Sequence, residues 1–165
     1  MKVLYIADPK TKRIYWRKDV TKNFKLYEIY KACKGLRHER WEWIKNGIPL
    51  TDEMWNMLDV GQLTREETGH AVTIGSFLRS FAWEIFRKRS GKSQHRKGAI
   101  DLSGQKVHEV YLKALKRKNL FYRKIKAKGA NRFIFYSWGV HVDAKKTPGN
   151  ADVILYDSSY KGPKV

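Results

Sequence analysis

The stretch Ser93-Gln94-His95-Arg96-Lys97-Gly98-Ala99-Ile100-Asp101 organises the rest of the chain once it is paired with His141-Val142-Asp143. His95 and Asp101 lie on either side of a glycine and can offer a metal ion one imidazole nitrogen and one carboxylate oxygen. His141, on a later predicted strand, would complete a set of three ligands. Three protein ligands with an open fourth position form the arrangement of catalytic zinc sites. The segment from residue 98 to 102 is predicted to be the strand that carries this loop into a sheet.

Composition limits the class of protein. The 165 residues, of which 42% are hydrophobic, fit one globular domain with a core. The net charge of +19 predicts affinity for polyanions. Nucleic acid, anionic membranes, and the teichoic acids and carboxylates of a cell wall all qualify, and charge alone does not choose among them. Because Cys33 is the only cysteine, a disulfide framework and a multi-cysteine zinc site are excluded.

Neither a membrane span nor an export signal is predicted. No apolar run approaches the roughly 18 residues that a span requires. The opening run from residue 1 to 7 stops at Asp8-Pro9, which is too short for a signal peptide. We therefore expect synthesis in the cytoplasm. A substrate outside the cell would require delivery by a holin or a virion.

Strands clustered late in the chain, with helices segregated early, predict an α+β domain. We expect an N-terminal hairpin extension over residues 1–19, the main domain over 20–157 and a frayed tail over 158–165. Helices are predicted over 26–33, 39–45, 52–63, 81–88 and 105–118, with Thr51 as the N-cap of the third. Strands are predicted over 2–7, 13–16, 72–77, 98–102, 120–125, 131–136, 140–144 and 153–156.

Four sequence motifs resemble those of one family. Val72-Thr73-Ile74-Gly75-Ser76-Phe77-Leu78-Arg79-Ser80 is similar to a strand that ends in Ser-Gly-Tyr-Arg-Ser. The stretch 93–101 is similar to Ser-x-His-x-x-Gly-x-Ala-x-Asp, and Trp138-Gly139-Val140-His141-Val142-Asp143 to an aromatic residue followed by Val-His-Val-Asp. Asn23-Phe24-Lys25-Leu26-Tyr27-Glu28-Ile29 is similar to the Asn-Phe-x-Leu-x-Glu-Leu of phage-type members. The family is that of zinc D-alanyl-D-alanine carboxypeptidases and L-alanyl-D-glutamate endopeptidases, and the resemblance runs from about residue 20 to 145.

The resemblance implies a fold, an activity and a set of site residues. The fold would be that of the hedgehog/DD-peptidases, with helices packed on one side of a small antiparallel sheet. The activity would be zinc-dependent cleavage of peptide bonds in peptidoglycan. His95, Asp101 and His141 would hold Zn²⁺. Arg79 would stabilise the oxyanion or hold substrate, and Ser93 would bond the substrate backbone, although it can instead cap its own loop.

Two departures from the family pattern leave alternatives open. His95 and Asp101 are one residue closer in sequence than in the family, so either the loop is tightened or Asp101 does not reach the metal. Some members carry an acidic general base three residues before the last histidine, where this chain has Trp138. Asp143, on the same strand face as His141, can orient that ligand or act as the acid/base. Tyr136 can supply a hydroxyl to the transition state or belong to the core.

The sequence as a whole predicts a zinc metallopeptidase acting on peptidoglycan stem peptides or cross-links, of phage or prophage origin, at the cell wall or within a virion. One alternative keeps the fold without catalysis, as a wall-binding or virion structural module. Another is a basic nucleic-acid-binding protein, since aromatic residues are interleaved with the lysines and arginines. No recognised nucleic-acid-binding motif supports that last alternative.

Overall fold

The chain has an α+β architecture, described for residues 1–165 by a computed structural model. The α-helices are α1 (Leu26–Ala32), α2 (Arg37–Asn46), α3 (Asp52–Thr68), α4 (Phe81–Phe86), α5 (Val107–Arg117) and α6 (Leu120–Ala127). The strands are β1 (Lys2–Leu4), β2 (Ile48–Leu50), β3 (Val72–Ser76), β4 (Ala99–Gly104), β5 (Arg132–Tyr136), β6 (Gly139–Asp143) and β7 (Val153–Tyr156). Short 3₁₀ turns cover Gln94–Arg96 and Pro148–Asn150. None of the helices is long and apolar enough to cross a bilayer.

The main sheet has the strand order β3-β4-β6-β5-β7 and is mixed, whereas we expected an antiparallel sheet. All neighbours are antiparallel except β5 and β7. The reason lies in the register: β6 ends at Asp143 beside Arg132, where β5 begins, and β7 also begins beside Arg132, at Val153. The connection from β6 therefore delivers β7 to the same end of the sheet, so β7 runs parallel to β5.

Alternation along the strands gives the sheet a core face and a site face. Ile100, Leu102, Val140, Val142, Phe133 and Phe135 are buried in the hydrophobic core. Helices α3 and α5 pack on the sheet, and α6 packs against both of these helices. Asp101 and His141 lie between these core positions along β4 and β6, so their side chains project from the opposite face of the sheet.

Two predicted helices are confirmed in detail. Thr51 caps α3, because its hydroxyl accepts a hydrogen bond from the backbone N–H of Met54 (3.1 Å). Helix α5 buries Tyr111, Ala114 and Leu115 on the face expected from their spacing.

The strand predicted over residues 120–125 is wrong, because this segment belongs to helix α6. Asn119 caps the helix by accepting a hydrogen bond from the N–H of Tyr122 (2.9 Å). Phe121 and Ile125, four residues apart, point into the core on one helical face. The β-propensity of the aromatic residues suggested a strand. The Asn119 cap and the helical spacing of the two buried residues instead stabilise a helix.

The two ends of the chain are tied to the main domain. Strand β1 pairs with β2, not with residues 13–16 as expected. A single antiparallel bridge between Ala7 and Ile14 closes the turn formed by the residues that separate these two. Leu4 is part of the hydrophobic core, so the predicted N-terminal extension packs on the main domain. In the predicted tail, Tyr160 is buried against Phe135, whereas residues 161–165 are exposed.

Candidate metal centre

The register of two central strands brings the predicted ligands together. Asp101 on β4 lies directly opposite His141 on β6. His95 lies on the 3₁₀ turn just before β4. One ligand atom from each of the three side chains lies within 4.8 Å of the others, and all three residues are buried. No other group of three histidine, cysteine or acidic side chains in the chain has this arrangement.

The loop between His95 and Asp101 is held closely against its neighbours, and Asp101 lies beside both histidines despite the short spacing. The backbone of His95 is fixed to the end of the preceding segment, because its carbonyl oxygen accepts from the N–H of Arg79 (3.1 Å). Thr51 donates its hydroxyl proton to the carbonyl oxygen of Lys97 (2.6 Å). A side chain at Gly98 would meet Glu53 at 2.6 Å, so only glycine allows the loop to pack this closely on α3.

Each histidine is oriented by a hydrogen bond from the ring nitrogen that faces away from Asp101. Nδ1 of His95 donates to the carbonyl oxygen of Phe77 (2.7 Å), which leaves Nε2 facing Asp101 Oδ2 at 3.2 Å. Nε2 of His141 donates to Asp143 Oδ2 (2.9 Å), while Nδ1 faces Asp101 Oδ1 at 2.7 Å. Outer partners of this kind fix the tautomer and the ring orientation of histidine ligands. Nε2 of His95 and Nδ1 of His141 are therefore the ring nitrogens available to a metal ion.

Asp143 holds the imidazole of His141 in place through a hydrogen bond. Asp143 is fully buried. In addition to its contact with His141, its carboxylate accepts a hydrogen bond from Nε of Arg132 (2.7 Å) and forms an ion pair with Nη2 of the same arginine (2.5 Å). Burial alone would raise the pKa of Asp143, but the hydrogen bonds from His141 and Arg132 lower it below its usual value. Its carboxylate does not line the cavity over the metal ligands. This geometry favours the orienting role over a direct acid/base role.

The three central groups form a coupled charge cluster. Burial would raise the pKa of Asp101, but hydrogen bonds from His141 and His95 lower it well below its usual range. Burial would lower the pKa of His141, but the hydrogen bonds to Asp101 and Asp143 raise it. A ligating imidazole nitrogen must be deprotonated, so a metal ion competes with the proton on Nδ1 of His141.

Arg79 lies beside the three candidate metal ligands. Its Nη2 is 3.7 Å from Asp101 Oδ2, its Nε donates to Ser76 Oγ (3.1 Å), and its Nη1 is 3.8 Å from Glu84 Oε1. Burial lowers the pKa of Arg79, while the charge of Asp101 opposes this shift. An arginine nevertheless remains charged at neutral pH. The guanidinium is therefore a fixed positive charge at the edge of the site.

A cavity of about 520 Å³ opens over the ligands, and its charged side chains are positive except for Asp101. It is lined by Arg79, Lys92, Ser93, Gln94, His95, Asp101, Arg132, Ile134, Tyr136, Trp138, His141 and Lys145. Ser93 lines this cavity, and its hydroxyl also accepts from the N–H of His95 (3.3 Å), as in the loop-cap alternative. Burial and the charge of Asp101 raise the pKa of Tyr136, so its hydroxyl stays protonated at neutral pH.

Two supporting residues were not predicted from the sequence. Arg132 pairs directly across from Asp143 in the β5–β6 hairpin, and the tight turn at Ser137 and Trp138 was the signal that would have placed it there. Glu84 is buried beside Arg79 and carried no comparable signal, because its burial depends on contacts between distant segments.

No protein-family model, curated protein or solved structure matches this chain. Two imidazole nitrogens and one carboxylate, each oriented and grouped below an open cavity, can hold a metal ion.

Proposed function

We propose that this protein is a zinc-dependent peptidase of the hedgehog/DD-peptidase fold that cleaves peptide bonds in peptidoglycan, as a D-Ala-D-Ala carboxypeptidase or an endopeptidase. The observation that carries the proposal is the grouping of His95, Asp101 and His141 at the floor of an open cavity, with Arg79 beside them. These residues are the ones that the resemblance to zinc peptidases singles out.

The donor set suits zinc. Two imidazole nitrogens and one carboxylate oxygen match the ligands of catalytic zinc sites, whereas Mg²⁺ and Ca²⁺ prefer oxygen ligands throughout. When bound, zinc would supply an acidified water and polarise a peptide carbonyl. The outer hydrogen bonds from His95 to Phe77 and from His141 to Asp143 support the same proposal, since they present the free nitrogens to one point.

The remaining cavity residues fit a peptide that carries carboxylates. Arg79 is placed to stabilise negative charge that develops on a carbonyl oxygen during attack. Lys92 and Lys145 line the same cavity and would attract the free carboxylates of a stem peptide. The hydroxyl of Ser93 is within the cavity and can bond the substrate backbone.

The cavity has no second carboxylate that could act as a general base. Asp101 is the only carboxylate that lines the cavity, and it is assigned to the metal. Trp138 occupies the position at which some family members carry the general base. Tyr136 lines the cavity with a protonated hydroxyl and is the remaining side chain that we assign to hydrogen-bond donation in the transition state.

This lack of a second carboxylate favours one other candidate function. A chain that binds metal and wall peptide without hydrolysis would serve as a wall-binding or virion structural module. Such a module needs the basic cavity and the metal ligands but no base.

Digestion of purified peptidoglycan distinguishes the two candidates. Released amino acids and new amino groups are identified by mass spectrometry after incubation with the zinc-loaded wild type and with His141→Ala. We expect release by the wild type alone. Zinc binding and sedimentation with peptidoglycan without any release would support the inactive module. Tight, salt-sensitive binding to DNA in the absence of any metal binding would contradict both.

A further inference from the structure

The exposed face of α4 reverses the usual pattern of a surface helix. Glu84, the only acidic residue of the helix, is 2% exposed. Phe81, Ile85 and Phe86 are 54%, 49% and 66% exposed. Surface helices normally turn apolar side chains towards the core and charged side chains towards water. We call Phe81, Ile85 and Phe86 the α4 patch.

The buried Glu84 holds the helix in this orientation. Its Oε1 is 3.8 Å from Nη1 of Arg79 and 3.4 Å from Nη1 of Arg89. Rotating α4 to cover the patch would withdraw a carboxylate from two arginines and leave Arg79 without this support. The exposure of the patch is therefore coupled to the contacts that position Arg79 beside the metal ligands.

The patch is bordered by positive charge. Residues 79–97 contain seven lysines and arginines, and Glu84 is their only acidic residue. Arg87-Lys88-Arg89 follows the helix directly. The guanidinium of Arg96 lies 4.7 Å from the ring centre of Phe81, so a cation also covers one edge of the apolar surface. The outer surface of this segment thus combines large apolar side chains with an excess of positive charge.

We propose that the α4 patch docks on an anionic lipid bilayer. The apolar side chains would enter the boundary between headgroups and acyl chains, and Arg87 and Lys88 would lie against the lipid phosphates. A bilayer with anionic lipids presents an apolar layer directly below a layer of negative charge, so it is complementary to both features of this surface. No residue of the patch is a metal ligand or lines the metal cavity, so the proposal goes beyond the peptidase function and does not depend on it.

Docking in this way would bring the metal centre near the membrane. A second cavity, of about 340 Å³, is lined by Trp83, Arg87 and Arg89 from the α4 segment and by Arg79 and Asp101 from the metal site. Arg87, which would lie against the lipid phosphates, also lines this cavity, so a docked bilayer would lie near it.

Vesicle sedimentation tests the proposal with the full chain. The probes are vesicles of phosphatidylcholine alone and vesicles in which about one third of the lipid is phosphatidylglycerol. The double variant Ile85→Ser, Phe86→Ser removes most of the patch without changing the charge. Leu120→Ser is the matched control, because Leu120 is 58% exposed on α6, which also carries Arg123 and Lys124. Circular dichroism and thermal unfolding establish that each variant is folded.

We expect the wild type to bind the anionic vesicles and to bind neutral vesicles far less. The double variant should lose at least about tenfold in partitioning to anionic vesicles, because two large apolar side chains no longer enter the lipid. The control should stay within about twofold. His95→Ala should bind as the wild type does, whatever the outcome of the peptidase assay.

Several results would overturn the proposal. Equal losses for the double variant and for Leu120→Ser, or no loss for either, would show adsorption of a polycation without a docking site. Equal binding to neutral and anionic vesicles would contradict the role of the cations. A wild-type dimer that the double variant converts to a monomer would assign the patch to contact between two copies of the chain. Loss of binding in His95→Ala would assign binding to the metal cavity.

Discussion

Nε2 of His141 and Oδ2 of Asp143 lie 2.9 Å apart, although the two residues are separated by only one position on β6. Alternation along a strand places both side chains on the same face of the sheet. One short strand therefore supplies both a metal ligand and the carboxylate that orients it. Arg132, directly across on β5, holds that carboxylate in turn.

Replacing Asp143 by asparagine should weaken zinc binding by about 10- to 100-fold, because the amide holds the imidazole of His141 less firmly and leaves Arg132 without its charge partner. Competition with a chromophoric chelator measures the affinity. Asp152→Asn is the matched control, since it alters a carboxylate outside the site and should leave zinc affinity unchanged. Unaltered zinc affinity in Asp143→Asn, together with loss of peptide hydrolysis, would give Asp143 the direct acid/base role instead.

Gly98→Ala should destabilise the fold by roughly 1–3 kcal/mol, because the new methyl group would collide with Glu53 at the start of α3. Denaturant unfolding monitored by tryptophan fluorescence measures the change. Gly75→Ala is the control, because its methyl group would meet no atom closer than 4.0 Å. If both variants unfold like the wild type, the loop between His95 and Asp101 is not packed on α3 as described.

Trp138→Glu tests whether a missing base limits hydrolysis. The side chain lines the cavity, and a glutamate there would place a carboxylate at the family's base position. We expect kcat to rise by at least about tenfold, within the range of general acid–base catalysis. Trp138→Gln has a similar shape without the carboxylate and should not reproduce the gain. A rise with glutamine as well would show that removing the indole, not adding a base, is what matters.

Asp152 should contribute to the pH dependence of stability. Burial would raise its pKa, but hydrogen bonds from Lys118, Lys126 and Tyr122 lower it. A lowered pKa in the folded state stabilises the fold above the unfolded value of about 3.9, and this contribution is lost as the pH falls through the folded value.

Asp152→Asn should therefore lower the free energy of unfolding by roughly 1 kcal/mol near neutral pH. The difference from the wild type should shrink as the pH falls below about 4. Urea unfolding at a series of pH values measures both. A difference that stays constant down to the lowest pH would mean that the carboxylate charge does not contribute.

The parts of the fold that could be predicted depend on local patterns. The core face of α5 and the bounds of β7 follow from spacing within a single segment, and His95, Asp101 and His141 were found by motif. The parts that could not be predicted depend on contacts between segments. The strand wrongly expected over residues 120–125 has aromatic residues with β-propensity, and the Asn119 cap together with packing of Phe121 and Ile125 on the core decides for a helix. The inward rotation of Glu84 depends on Arg79 and Arg89, and no pattern within α4 encodes it.

The most direct test of the metal centre is elemental analysis of the purified wild type, His95→Ala and His38→Ala. His38 is exposed on α2 and serves as a matched control for loss of a histidine. We predict about one zinc ion per chain in the wild type and in His38→Ala, and its loss in His95→Ala. A wild-type protein that contains no metal and takes up none when zinc is added would contradict the metal centre and the peptidase function that rests on it.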